Sequence, residues 1–136
     1  MAAKIFVNLH VKDLNKSKVF YQSLGCELNE QFSDDTAASM VISDSIYIML
    51  LTHEKFKQFT PKQISDASQT SEVLNALSVE SREEVDKVFE MAIKTGGKET
   101  RPAQDHGFMY SRAFDDPDGH IWELFWMDMS QFPDNK

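Results

Sequence analysis

Leu9-His10-Val11 and Leu77-Ser78-Val79 lie 68 residues apart, half the length of a 136-residue chain, and each closes a short apolar run that leads into a helix signature. Such a repeat restricts the fold to one built from two copies of a single module. In the first copy, Ile5 to Val11 reads as a strand. Asp13 can cap a helix whose apolar positions Leu14, Val19, Phe20, Tyr21 and Leu24 favour one face, and Gly25 ends it. In the second copy, Val73 to Val79 reads as a strand. Ser81-Arg82-Glu83-Glu84 has the form of a capping box, and Val85, Val88, Phe89, Ala92 and Ile93 recur at helical spacing up to Gly96-Gly97.

Three strand candidates follow each helix: 26–32, 36–43 and 46–52 in the first half, 98–101, 108–115 and 120–127 in the second. Each module is therefore βαβββ. A single module cannot cover both faces of its sheet, which makes pairing of the two favourable. The expected fold is α+β, with two tandem βαβββ modules (about 1–52 and 72–136) forming a curled eight-stranded mixed sheet around a cleft, helices outside. The polar segment 53–71, with Thr60-Pro61, reads as an ordered connection carrying a short helix at about 54–59.

Composition narrows the function. A formal net charge of −8 disfavours nucleic acid and anionic membranes, since both require clustered Lys and Arg. Cys26 is the sole cysteine, so no internal disulfide forms, and a buried, inert thiol in a reducing compartment is the expectation. The opening Met1-Ala2-Ala3-Lys4-Ile5-Phe6 lacks the apolar stretch of a signal peptide, and no later run approaches a membrane span. A cytoplasmic protein is expected. Neither a Gly-x-Ser-x-Gly elbow nor a phosphate-cradling glycine loop occurs among the five glycines.

Glu123 poses the functional question. It follows the turn Asp116-Pro117-Asp118-Gly119 and lies inside Ile121-Trp122-Glu123-Leu124-Phe125-Trp126. Pro117 fixes φ and Gly119 supplies the positive φ of a reversal, so two strands should meet here. An ionised carboxylate among bulky apolar groups must face a wet or metal-bearing cavity or hold a cation.

The strand ending in Val11-Lys12-Asp13-Leu14 with Ser17 and Phe20-Tyr21, the duplicated βαβββ order and the closing Asp-Pro-Asp-Gly-x-x-x-Glu-Leu together resemble the vicinal oxygen chelate superfamily. That group includes glyoxalase I, fosfomycin resistance transferases, extradiol dioxygenases and bleomycin-binding resistance proteins. The stretch from Gln104 to Tyr110 through Trp122-Glu123 further resembles a lactoylglutathione-lyase-like bacterial branch. In metal-dependent members the resemblance implies ligands on the first strand of each module and on the last strand of one or both. Carried onto this chain, those positions fall at Phe6, at Leu50 or next to it, at Leu74, and at Glu123. Only Glu123 has a ligating side chain, and one carboxylate cannot hold a catalytic metal. The expectation is therefore no cofactor. The alternative is a divalent transition metal in a rebuilt site of His10, His106 and Glu123.

Period-two alternation places Phe6, Asn8 and His10 on one face of the first strand. Tyr110, Arg112 and Phe114 share a face of another, and Arg112 is the expected counter-charge for Glu123 or for an anionic ligand. Ile121, Glu123, Phe125 and Met127 alternate with Trp122, Leu124 and Trp126, so one set should pack under a helix and the other line the cleft. Candidate ligand contacts are Asn8, His10, His106, Tyr110, Arg112 and Phe125, with Glu123 as the candidate catalytic group, suited to act as a general base. Asp115, Asp116 and Asp118 read as turn chemistry, because the spacing of a calcium loop is missing. Three functions compete: a metal-free protein binding a small, largely apolar molecule, a lyase, isomerase or dioxygenase of the glyoxalase type, and a dimeric scaffold with no chemistry; a homodimer is expected under either of the first two.

Overall fold

Local signals and observed elements agree closely in a computed structural model that describes residues 1–131. The last five positions expected in the second module lie outside the described residues. The chain separates into two compact units, Met1–Thr70 and Ser71 onward, so the connection belongs with the first half.

In the first unit, β1 (Ile5–Val11) leads into α1 (Leu14–Ser23), then β2 (Glu27–Asn29), β3 (Ala37–Val41) and β4 (Ile46–Thr52). The Asp13 carboxylate accepts the Lys16 N–H at 3.1 Å and so caps α1. Strand order is β1-β4-β3-β2, with β1 parallel to β4 and the other pairs antiparallel. The registers place Leu9, Val11, Ala38, Met40, Ile48 and Leu50 on one face. All are buried, as are Phe20 and Tyr21 from α1, which packs on β3 and β4. The strand expected at 26–32 is cut short. The Asn29 side chain accepts from Gln31 N and caps a 3-10 turn, Glu30–Phe32, before strand pairing can continue.

The second unit repeats the plan: β5 (Asn75–Ser78), α3 (Arg82–Lys94), β6 (Lys98–Asp105), β7 (Met109–Asp115) and β8 (Ile121–Met127), in the order β5-β8-β7-β6. The capping box at α3 is nearly as expected. Ser81 Oγ accepts the Glu84 N–H at 3.1 Å, while the Glu84 carboxylate reaches one residue further back, to the Glu80 N–H at 2.9 Å. The Asp-Pro-Asp-Gly turn joins β7 to β8: the Asp116 carboxylate, 3% exposed, accepts from the N–H groups of Asp118 and His120, and Gly119 takes φ 102°. The eight strands thus form two four-stranded mixed sheets.

The strand expected at 98–101 runs four residues longer. β6 is an edge strand, so it tolerates Pro102, and two register shifts interrupt its pairing with β7, between Glu99 and Arg101 and between Arg101 and Gln104. The helix expected at 54–59 is α2 (His53–Lys57), capped by Thr52 and packed on β1 and β4. No helix among the described residues is long and apolar enough to cross a membrane.

Candidate functional site

Registers in the second sheet assign every side chain of interest to a face. Ala76 and Ala113 pair with Glu123 from either side, and Arg101 pairs with Ala113. Arg101, Ala113, Glu123 and Ala76 therefore form one row across the sheet. The next row on that face is Gln104, Ser111, Phe125 and Ser78. The opposite face carries Tyr110, Arg112, Phe114, Trp122 and Leu124, and it is the one that α3 covers.

Glu123 holds a cation, but Arg101 supplies it. An Arg101 Nη2 to Glu123 Oε2 ion pair of 3.2 Å spans Ala113, with the two side chains 30% and 24% exposed. Ala113 is fully buried beneath it. A larger residue there would stand between the charges. Arg101 reaches this face because of the first register shift in β6: Glu99 faces α3, and strict alternation would send Arg101 the same way.

Arg112, the expected partner, is on the helix side. Its guanidinium binds Asp86 at 3.2 Å and Glu99 at 3.4 Å, and stacks over the Phe89 ring at 3.7 Å. The Tyr110 hydroxyl donates to the same Asp86 carboxylate at 2.6 Å, and this bond, with burial, raises the phenol above its ordinary range. Tyr110 and Arg112 fasten α3 to the sheet, and Glu123 lies across the sheet from them. Phe125, half-buried, stays beside Glu123 on the other face.

His106 is exposed in the β6–β7 loop. Arg82 grips that loop, donating to both Asp105 oxygens at 2.9 and 2.8 Å and to the Gly107 carbonyl at 2.9 Å, while lying over the Tyr110 and Trp126 rings. The Arg82 hydrogen bonds, with the Gly107 N–H, hold the Asp105 carboxyl far below the usual carboxylate range.

In the first sheet, Phe6, Asn8 and His10 do share a face. Phe6 stacks on Tyr47 (centroids 4.6 Å apart, planes within 9°) and remains 52% exposed; Asn8 is exposed too. His10 is buried, edge-on to the rings of His53 and Phe56 at 5.2 and 5.3 Å, because α2 lies over that end of the face. Sequence reasoning missed this cover, although Phe56 in a short helix directly after β4 was its one signal. Leu50 points into the core. Its neighbour Met49 faces as Phe6 does and pairs with Asn8 as Glu123 pairs with Ala76.

The ligand positions implied by the resemblance therefore carry Phe6, Met49, Leu74 and Glu123, the last bound to arginine. Two hydrocarbon side chains, a thioether and one occupied carboxylate do not suit the divalent ions that imidazole and carboxylate sites select. Among the described residues, no group of three His, Cys, Asp or Glu side chains is arranged to hold a metal ion. Cys26 is free, and burial pushes its thiol up to about 11, as an inert thiol requires.

Residues 5–124 match the model of the Glyoxalase/Bleomycin resistance protein/Dioxygenase superfamily, and the chain belongs to that family. No curated protein matches it. Among solved structures, a hypothetical protein from S. aureus is 27% identical, with a TM-score of 0.77 over 93% of this chain and 95% of that one. A glyoxalase-related enzyme from Fulvimarina pelagi is 21% identical, with a TM-score of 0.78 over 93% and 88%. A fosfomycin resistance protein from Mesorhizobium loti is 15% identical, with a TM-score of 0.71 over 96% and 97%. The latter two likenesses speak for the fold alone.

Proposed function

We propose that this protein binds a small, largely apolar molecule against the sheet face bearing Glu123 and Phe125, without the metal that serves other branches of its family. The observation that carries this reading is the Arg101–Glu123 ion pair: the one surviving ligand-type side chain already has its positive charge. The equivalent face of the first unit, taken by itself, is apolar in the same way, with Phe6 exposed and Asn8 beside it. His106 and Phe125 remain candidate contacts at the rim and wall. In the enzymatic alternative Glu123 acts as general base, which requires its release from Arg101. The ion pair favours binding over catalysis.

The reading includes a cytoplasmic homodimer. Its supports are the single, half-buried thiol, which is free of any disulfide, and the exposed Ile5 on the edge strand β1, surface that a second copy would cover. Metal analysis of protein purified without chelators tests the first part. Less than a tenth of an equivalent of transition metal, with a melting temperature that rises in 1-anilinonaphthalene-8-sulfonate or a similar apolar probe, is the expected result. A stoichiometric metal lost on Glu123→Ala overturns it. Sedimentation at micromolar concentration tests the dimer.

A further inference from the structure

The chain has three arginines, and two are committed. Arg82 uses both terminal nitrogens on Asp105 and Gly107. Arg112 uses both on Asp86 and Glu99. Arg101 differs: among the described residues its one charged partner is Glu123, with a closest N···O approach of 3.2 Å. A guanidinium offers five N–H donors in a planar fork suited to two parallel bonds with one carboxylate. Among the described residues this fork meets no second carboxylate, and it is on the face that α3 leaves uncovered.

The surroundings are shaped for a ligand with one anionic end. On the far side of Glu123 from Ala113 stands Ala76, exposed on the edge strand β5, so its sheet neighbour there contributes just a methyl group. Phe125 in the next row supplies an apolar wall between Ser78 and Ser111. With an overall charge of −8, the chain attracts no anion through its general field, so affinity must come from this one cation.

We propose that Arg101, oriented by Glu123, is the receiving group for a carboxylate on an otherwise apolar small molecule, whose body rests on Phe125. This rests on the small-molecule reading above and names the polar end of its ligand. Glu123 and the incoming carboxylate then compete for one guanidinium. The competition gives a sign that a purely structural ion pair would not show: neutralising Glu123 strengthens anion binding.

The test is titration of the ¹⁵N-labelled full chain with sodium benzoate and with neutral, nearly isosteric benzamide, at matched ionic strength. Backbone amides of Ala76, Arg101, Ala113, Glu123 and Phe125 provide the readout. Benzoate is expected to shift them saturably and to bind at least about tenfold more tightly than benzamide, the factor expected of a charge-assisted hydrogen bond. Glu123→Gln should tighten benzoate severalfold and widen its preference over benzamide. Arg101→Gln should abolish the preference. The double variant Arg101→Gln with Glu123→Gln, which strands no charge, must do the same if the single variant fails to fold. Equal binding of both probes, or a preference that survives in the double variant, overturns the inference and leaves the small-molecule reading standing. If neither probe moves these amides in wild type or in Glu123→Gln, both fall.

Discussion

Whether Glu123 answers to Arg101 or to Arg112 can be settled by coupling energies. At 3.2 Å two unit charges attract by about 1.3 kcal/mol in a water-like dielectric and about twice that where the effective dielectric is halved. Both side chains are a quarter to a third exposed, so screening holds the value near the lower figure, and the expected coupling is about 1–2 kcal/mol. A double-mutant cycle of Arg101→Gln and Glu123→Gln, followed by urea unfolding, measures it. Arg112→Gln with Glu123→Gln is the control; those side chains lie on opposite faces, and their coupling should stay under about 0.5 kcal/mol. The assay is favourable because the chain's two tryptophans, Trp122 and Trp126, are both on β8, so intrinsic fluorescence follows the second unit. The cycle requires equal m-values among the variants. A coupling above 1 kcal/mol for Arg112 with Glu123, alongside one near zero for Arg101, would refute the register and the argument built on it.

Other outcomes follow from the same geometry. Tyr110→Phe deletes the 2.6 Å bond to Asp86 and should cost about 1–2 kcal/mol in the same urea assay, with no effect on benzoate affinity. Because Asp105 is depressed by Arg82, the stability its carboxylate supplies is complete above about pH 4 and is lost as pH falls through the lower folded-state value. Arg82→Met should therefore flatten the fall in melting temperature between about pH 4 and pH 2; an unchanged slope counts against the ion pair as its cause. Cys26, with its thiol pushed up to about 11, should react with a disulfide reagent at pH 8 far more slowly in the native protein than in urea, and equal rates would show the thiol to be open.

Much of the fold was legible because its signals are local. Asp13 and Ser81 announce helix starts through hydrogen bonds to residues three positions on, and Gly119 marks a reversal that needs positive φ. The half-chain offset then gave the βαβββ order. The site was harder. Counting back from the turn sets Asp115 opposite Ile121 and hence Ala113, not Arg112, opposite Glu123, so one error was avoidable. Arg101 was not recoverable in that way. The register shift that redirects it depends on how an edge strand accommodates Pro102 and its neighbours against β7, and alternation alone predicts the wrong face. His10 was placed on the correct face, yet its burial depends on α2 returning over the strand it follows, a tertiary contact without periodicity to betray it.

That short helix gives the duplication an asymmetry. The first half has a roof of its own over His10, built from the residues that tie it to the second, while in the second the acidic side chain of β8 meets a guanidinium from its own sheet. An insertion or deletion within the tether would remodel the first copy and spare the second, so drift in the joining segment changes one half's chemistry independently of the other's.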